Sequence, residues 1–415
     1  PVDVAHLLES SPPKEREILW GLLDPELHGD VLQYLGDDVQ IEFLNRMDAE
    51  QLLTATEGLD VDDLADLLQQ LPNTVIQEVL QSMEAQERQR VEAVLSYPED
   101  TAGGLMNPDA ITIRPDITLD VVLRYLRRHE RLPDATDTLL VVTRRDELIG
   151  ILSLNRLLVS DVSVLVREVM ETDFHSIQAT ASDSDVATLF QKHDLISAPV
   201  VGIDGKLLGR ITIDDVVDVI REDAEHQVMS MAGLDEDEDT FAPALRTSRR
   251  RAFWLGINLI AATIVSIAIG FFEDTIQQIA ALAVLMPIVS SMGGIAGSQT
   301  LTVLIRGIAL GHVSGANVRW LLIRELLVGM TNGLIWAVVV GTMSVFRFDD
   351  IRLGQIIAMA MVINLTVATM AGTLIPVLLK KFKIDPALSG GVLLTTITDV
   401  VGFVAFLGLA TAFYL

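Results

Sequence analysis

The 415-residue sequence carries 57 Asp and Glu against 30 Lys and Arg, a formal net charge of −27, and no cysteine. Disulfides, thiolate metal sites and cysteine nucleophiles are thereby excluded. So acidic a chain repels phosphate backbones, which argues against nucleic acid as a partner.

The charge is unevenly spread. Residues 1–245 hold 50 of the acids and 18 of the bases, a charge of −32; residues 246–415 hold 7 acids and 12 bases, a charge of +5. An acidic, water-facing half thus precedes a mildly basic, apolar half. The acidic half suits a surface that attracts hard cations, and equally one that simply stays soluble. The opening Pro1-Val2-Asp3 has neither a methionine nor an apolar signal region, so no secretory leader is expected and the numbering reads as beginning inside a longer product.

Residues 1–104 predict an all-α helical domain. Ile41–Leu44, Leu64–Leu68 and Val75–Leu80 place apolar groups at helical spacing, with Leu35-Gly36-Asp37 and Leu71-Pro72-Asn73 as punctuation. Repetition of such units predicts a small solenoid of helix pairs, each burying its apolar face on a neighbour. From about residue 107 the period changes. Leu139–Thr143 and Ala198–Gly202 are β-type runs, each followed by a turn, a second strand and a helical segment. Two pseudo-repeated α/β modules, 105–165 and 166–223, are therefore expected.

These two copies resemble a tandem pair of CBS domains on the segments Gly150–Arg156 and Gly209–Asp215. Such pairs often hold adenine nucleotides. The resemblance implies one ATP-type site, with Thr212 for phosphate and Asp215 for ribose hydroxyls. The first copy has Ser153 but carries Arg156 where the acid is expected. A CBS pair serving only as a folded spacer and dimer contact is the competing reading.

Val216–Met231 reads as a helix bearing Asp218, Glu222, Asp223 and Glu225. The run Asp235-Glu236-Asp237-Glu238-Asp239 then breaks the pattern, and Pro243 and Arg246–Arg251 lead toward the membrane. Residues 224–250 are thus expected to form an acidic connecting helix. Residues 251–415 contain five stretches able to span about 30 Å of hydrocarbon: Ala252–Phe272, Ile276–Ile305, Trp320–Phe346, Ile351–Leu379 and Leu388–Tyr414. Basic residues cluster before the first, between the second and third, and between the fourth and fifth. The positive-inside rule then predicts a multi-pass membrane protein with a cytosolic N-terminal half and an outside C-terminus.

Two spans carry chemistry. The second is expected to be interrupted between Met286 and Thr300, where Pro287, Gly293, Gly294 and Gly297 fall. The fifth clusters Thr395, Thr396, Thr398 and Asp399. A charged group at that depth costs at least about 2.5–3.5 kcal/mol on insertion scales, so Asp399 needs a partner, a proton or a cation. One carboxylate with hydroxyls and carbonyls suits Mg²⁺ held through its own waters, because a cage of carboxylates would not let the ion leave.

The whole arrangement resembles the MgtE family of Mg²⁺ channels and transporters, most specifically at Pro287–Gln299, Asp385-Pro386-Ala387 and Thr398–Gly402. The resemblance implies a multi-domain membrane protein: helical N domain, CBS pair, acidic connecting helix and five-helix transmembrane domain. It implies a homodimer whose pore runs along the two-fold axis between the second and fifth spans. Asp399 would select the hydrated ion, with a backbone carbonyl near Thr395 and pore-facing Ser298 and Thr302. The chain departs from the commoner Gly-Gly-Asn pattern, with Ile295 after Gly293-Gly294 and Ser298 where Asn can occur. The family's regulation implies that cytosolic Mg²⁺ bridges acidic surfaces and closes the pore, with Asp214, Asp218, Glu222 and Glu225 as sensor candidates. Alternatives are a CBS-based nucleotide sensor with a membrane anchor, or transport of another divalent cation such as Co²⁺, Mn²⁺ or Ca²⁺. The seven scattered histidines form no catalytic or zinc spacing, so no enzyme is expected.

Overall fold

The computed structural model describes residues 1–56, 58–129, 132–133, 135–234 and 239–414. It separates into two compact units. One comprises Pro1–Glu225 together with residues 239–242; the other comprises residues 226–234 and 243–414.

The first unit opens with short helices: α1 Val2–Glu9, α2 Pro13–Trp20, α3 His28–Leu32, α4 Asp37–Leu44, α5 Ala49–Thr56, α6 Val61–Gln69, α7 Asn73–Ser82 and α8 Ala85–Leu95. Gly36 and Pro72 supply the extended N-cap residues of α4 and α7, which is what the sequence punctuation encodes. The stacking is layered, with α1 on α3, α3 on α5, α5 on α7 and α6 on α8. These four pairs place helices against the next but one, as in a solenoid, and α1 also packs on α2. Gly29 allows the closest approach: a Cβ there would lie 1.8 Å from the Ala55 carbonyl oxygen.

The two α/β modules follow. The first comprises β1 Thr112–Ile113, α9 Leu119–Leu126, β2 Thr138–Val142, β3 Leu148–Ser153 and α10 Leu154–Val159. Then come α11 Val166–Val169 and the second module: β4 Ile177–Gln178, α12 Asp183–His193, β5 Ser197–Val201 and β6 Leu207–Thr212. Each sheet pairs its first strand parallel to the second and the second antiparallel to the third. A register shift recurs at Val141/Val142 and at Val200/Val201, so the repeat extends to its irregularities. The hairpin tips of the two copies bond one another, Leu148 N–H to the Gly205 carbonyl and Leu207 N–H to the Asp146 carbonyl. One continuous apolar core joins the helical layer to the second module, through Leu64, Leu68, Phe190, Ile211 and Val216. The first module has its own core around Leu139, Val141 and Leu152.

The helix expected over Val216–Met231 is present: α13 spans Ile213–Met231, running directly out of β6, and it ends within the 224–250 stretch expected as the connecting helix. It ends before Gly233, whose φ of +70° suits a residue without Cβ. The next helix, α14, spans Ala244–Gly270, so the arginines at 246–251 belong to the first span instead of a linker. Of the acidic run, Asp235–Glu238 lie outside the described residues. Asp239 packs with the first unit, where the buried Arg16 guanidinium grips its carboxylate through two bonds of 3.0 and 3.3 Å. Arg16 also meets Glu42 at 3.4 Å and donates to the Leu8 carbonyl at 3.0 Å.

Among the described residues, five helices in the second unit are long and apolar enough to cross a membrane: α14, α16 Ala280–Ala309, α17 Val318–Phe348, α18 Ile351–Lys381 and α19 Pro386–Tyr414. Helix α18 is the hub, packed by α16, α17 and α19, while α14 leans on α19. Two expectations for the second span are corrected. Residues Ile276–Gln278 belong to a separate short helix, α15 Glu273–Gln278, because the chain extends at Ile279. The span itself is not interrupted: α16 runs straight through Pro287. A proline there forfeits one backbone bond, which a packed membrane helix tolerates. The glycines serve contact instead. A Cβ on Gly293 would lie 2.3 Å from Asn364 Nδ2, and one on Gly402 would lie 2.7 Å from the same atom. Asn364, fully buried, donates Nδ2 to the Val289 carbonyl at 2.8 Å and so pins α16, α18 and α19 at one level.

Candidate functional site

Helices α16 and α19 enclose a groove of about 740 Å³ in the second unit. On α16 its lining includes Ser290, Gly294, Ser298 and Thr302, every fourth residue and hence one stripe of the helix. On α19 it includes Thr395 and Asp399, one turn apart. Small and hydroxyl-bearing residues face the groove together with Ile295, Gln299 and Val303, while Leu285, Val289, Leu304 and Ile305 are buried elsewhere on α16. Helix α19 likewise buries Leu394, Thr398, Gly402 and Phe406.

Asp399 is half-buried, and Ser290 Oγ donates to its Oδ1 at 2.5 Å. Ser298, Thr302 and Thr395 are exposed along the groove. The Thr395 hydroxyl is spent on the Gly391 carbonyl at 2.9 Å, and the Thr395 carbonyl already accepts the Thr398 hydroxyl at 3.0 Å. The structure therefore brings all four sequence-derived groove residues together. Ser290 is an addition, legible afterwards as the first step of the four-residue spacing.

A second acid in the membrane helices went unread in the sequence. Glu325 on α17 is buried, accepts Thr300 Oγ1 at 3.1 Å and meets Arg324 Nη1 at 3.1 Å. Its place beside Arg324 near the start of a span makes it look ordinary in sequence.

Within the first unit, carboxylates crowd where α6 faces the start of α13. Asp62, Asp63 and Asp66 come from α6; Asp214, Asp215 and Asp218 come from α13. Burial pushes the Asp63 carboxyl up to about 7, helped by the charges of Asp62, Asp60, Asp214 and Asp218. Burial likewise takes Asp215 to about 8, with Asp62 and Asp214 adding to it. Asp62 rises to about 6 and Asp66 well above the usual carboxylate range, desolvation again leading. Asn107 Nδ2 donates to Asp62 at 3.0 Å, which offsets only part of this. Among the described residues no three acids or histidines converge closely enough to hold a metal as they stand. Of the sensor candidates, Asp214 and Asp218 face this crowd, and Asp218 also meets Arg221 at 3.4 Å. Glu222 and Glu225 are exposed further along α13 and do not figure among these neighbours.

Thr212 and Asp215 are bonded to each other: the Thr212 N–H and hydroxyl both donate to Asp215 Oδ2, at 3.2 and 3.0 Å. Ser153 caps α10 by accepting the Arg156 N–H, and Arg156 pairs with Glu171 at 3.3 Å.

Five long apolar helices, attached to an acidic helical and paired α/β region, define a multi-pass membrane protein. The groove-bearing region, residues 286–409, matches the MgtE family, described as a divalent cation transporter; residues 1–100 match the MgtE intracellular N domain, and residues 102–162 and 166–222 match the CBS domain. The chain belongs to the MgtE family. It is 30% identical to the magnesium transporter MgtE of Bacillus subtilis (strain 168), covering all of this chain and 92% of that one. Against the magnesium transporter MgtE of Thermus thermophilus, identity is again 30%, over 99% and 92%. Among solved structures, the cytosolic domain of the Mg²⁺ channel MgtE in complex with ATP is 32% identical over 52% of this chain and 93% of that one, with a TM-score of 0.44.

Proposed function

We propose that this protein carries Mg²⁺ across a membrane through a homodimeric path whose polar wall is the α16–α19 groove. The observation that carries this is Asp399, a lone carboxylate set among Ser290, Ser298, Thr302 and Thr395. Magnesium sheds water reluctantly and favours six oxygen ligands. Six waters at about 30 Å³ each take about 180 Å³, well within the groove. One carboxylate attracts the hydrated ion without trapping it. The groove is open on one side of a single chain, which suits closure by a second copy related by a two-fold axis. The placing of Arg and Lys around the spans supports a cytosolic first unit and an outside C-terminus. Two magnesium transporters similar to this chain are matched along 92% of their length, which supports the same cargo.

Regulation belongs to the acid crowd of the first unit. Asp62, Asp63 and Asp66 face Asp214, Asp215 and Asp218 at a cost set by desolvation and like charge. Cytosolic Mg²⁺ lowers that cost by sitting between the two helices, and holds α6 and α13 together. Losing the ion restores the repulsion, which favours their separation and an open path. Thr212 and Asp215 stay candidates for nucleotide binding apart from this regulation: their mutual bonds use Asp215 Oδ2, and a carboxylate keeps further acceptor capacity for ribose hydroxyls.

The test is flux into proteoliposomes with Mg²⁺, Ca²⁺, Mn²⁺ and Co²⁺ compared directly, for the parent and for Asp399→Ala. Mg²⁺ should dominate in the parent and flux of every ion should vanish in the variant. Full flux through a folded Asp399→Ala protein would overturn the reading.

A further inference from the structure

Glu325 has no part in the groove, yet it is a carboxylate with 6% exposure inside an apolar helix. Such a group is costly and persists only where its oxygens are satisfied. Oε2 accepts Thr300 Oγ1 from α16, Oε1 accepts Arg324 Nη1, and the backbone carbonyl of Glu325 accepts Thr369 Oγ1 from α18 at 2.9 Å. The contact is tight around it. A Cβ on Gly329, one turn along α17, would lie 2.3 Å from Thr369 Oγ1; one on Gly372 of α18 would lie 3.0 Å from Thr300 Cβ.

Thr300 is buried on the side of α16 away from the groove. Residues two apart on a helix are about 200° apart around its axis, so fixing Thr300 outward turns Ser298 and Thr302 inward. Rotation by a single residue, about 100°, would take both hydroxyls off the groove wall. An apolar pair at this place would pack but would not choose a rotation. A directional hydrogen bond does.

We propose that Glu325 is a positioning residue: through Thr300 it sets the rotation of α16 and thereby presents Ser298 and Thr302 to the passing ion. This deepens the reading of the groove as a cation path and rests on it.

The chain has no cysteine, so a single Thr302→Cys reports groove exposure through its rate of reaction with a charged methanethiosulfonate. The full-length Thr302→Cys protein is compared in proteoliposomes with and without Glu325→Ala, Thr300→Val or Glu325→Gln. Glu325→Ala and Thr300→Val should each slow labelling by about tenfold, the equivalent of one buried hydrogen bond. On the Thr302 background both should also raise the Ca²⁺-to-Mg²⁺ flux ratio. Glu325→Gln, which keeps an acceptor for Thr300, should stay near the parent in both measurements. Thr300→Val removes one hydroxyl at constant volume, so it serves where Glu325→Ala does not fold. Folded Thr300→Val with parental labelling overturns the inference, as does Glu325→Gln behaving like Glu325→Ala. The labelling rate is read without ion flux, so an active Asp399→Ala protein would remove the cation path while leaving the helix-rotation result to stand or fall separately.

Discussion

The two units handle negative charge in opposite ways. In the membrane helices acids are few and each has an assigned partner: Asp399 has Ser290, and Glu325 has Thr300 and Arg324. In the first unit acids face acids, and Asp63 and Asp215 are driven to about 7 and about 8 by burial and by one another. A single satisfied carboxylate makes a place for an ion to pass. A crowd of frustrated ones makes a place where an ion is needed to hold the structure together. Under the proposed function, the same chemistry would serve transit in one region and sensing in the other because the number of carboxylates differs.

The comparison breaks most readily at Asp399. Both Asp399→Ala and Asp399→Asn should reduce Mg²⁺ flux in proteoliposomes to the empty-vesicle background, since the charge and not the volume attracts the ion. An active Asn variant would make the groove a polar passage of another kind. The next largest effect is expected at the crowd. Asp63→Asn with Asp66→Asn should raise the Mg²⁺ concentration that half-protects α6 amides from hydrogen exchange by about tenfold, within the usual span of coupling energies. An unchanged midpoint would remove α6 from the sensor.

Acidity should act in the same place without any metal. The carboxyls of Asp62, Asp63 and Asp215 titrate at about 6, 7 and 8 in the fold, above their ordinary 3.8. The packed state therefore binds protons more tightly than the opened one. Its stability is complete below the unfolded value and is lost as pH rises through 6 to 8. In divalent-free buffer, α6 exchange corrected for intrinsic rate should slow as pH falls from 8.5 to 5.5. Exchange independent of pH would mean that the crowd is solvated. The smallest effect belongs to Glu222→Gln with Glu225→Gln. Both residues are exposed on α13, so the Mg²⁺ midpoint should move by only about twofold, as screened surface charges do. A shift as large as that of the α6 pair would move the sensor down the helix.

How much of this the sequence carried depends on contrast. Asp399 stood out because nothing charged surrounds it in its own helix, and the repeated strand–turn–strand pattern stood out because period two interrupts period 3.6. The same logic hid Asp62, Asp63 and Asp66. On an amphipathic helix they read as its wet face, and only the fold of α6 against α13 turns that face inward. Glu325 was masked by Arg324 beside it. Pro287 misled in the other direction: a residue that breaks helices in water stays within α16, where packing on α18 and α19 supports the backbone. The helix leaving the second module was legible over Val216–Met231, and its start falls only three residues earlier because the end of β6 at Thr212 sets it.

Arg16 and Asp239 give the molecule a short leash. Asp239 is clamped by a guanidinium with 1% exposure, and only five residue steps separate it from Ala244, where α14 begins. Fully stretched, those steps reach about 18 Å. Pulling Asp239 away would leave the buried Arg16 guanidinium with Glu42, at 3.4 Å, as its remaining carboxylate partner among the described residues, a costly loss for a charge out of water.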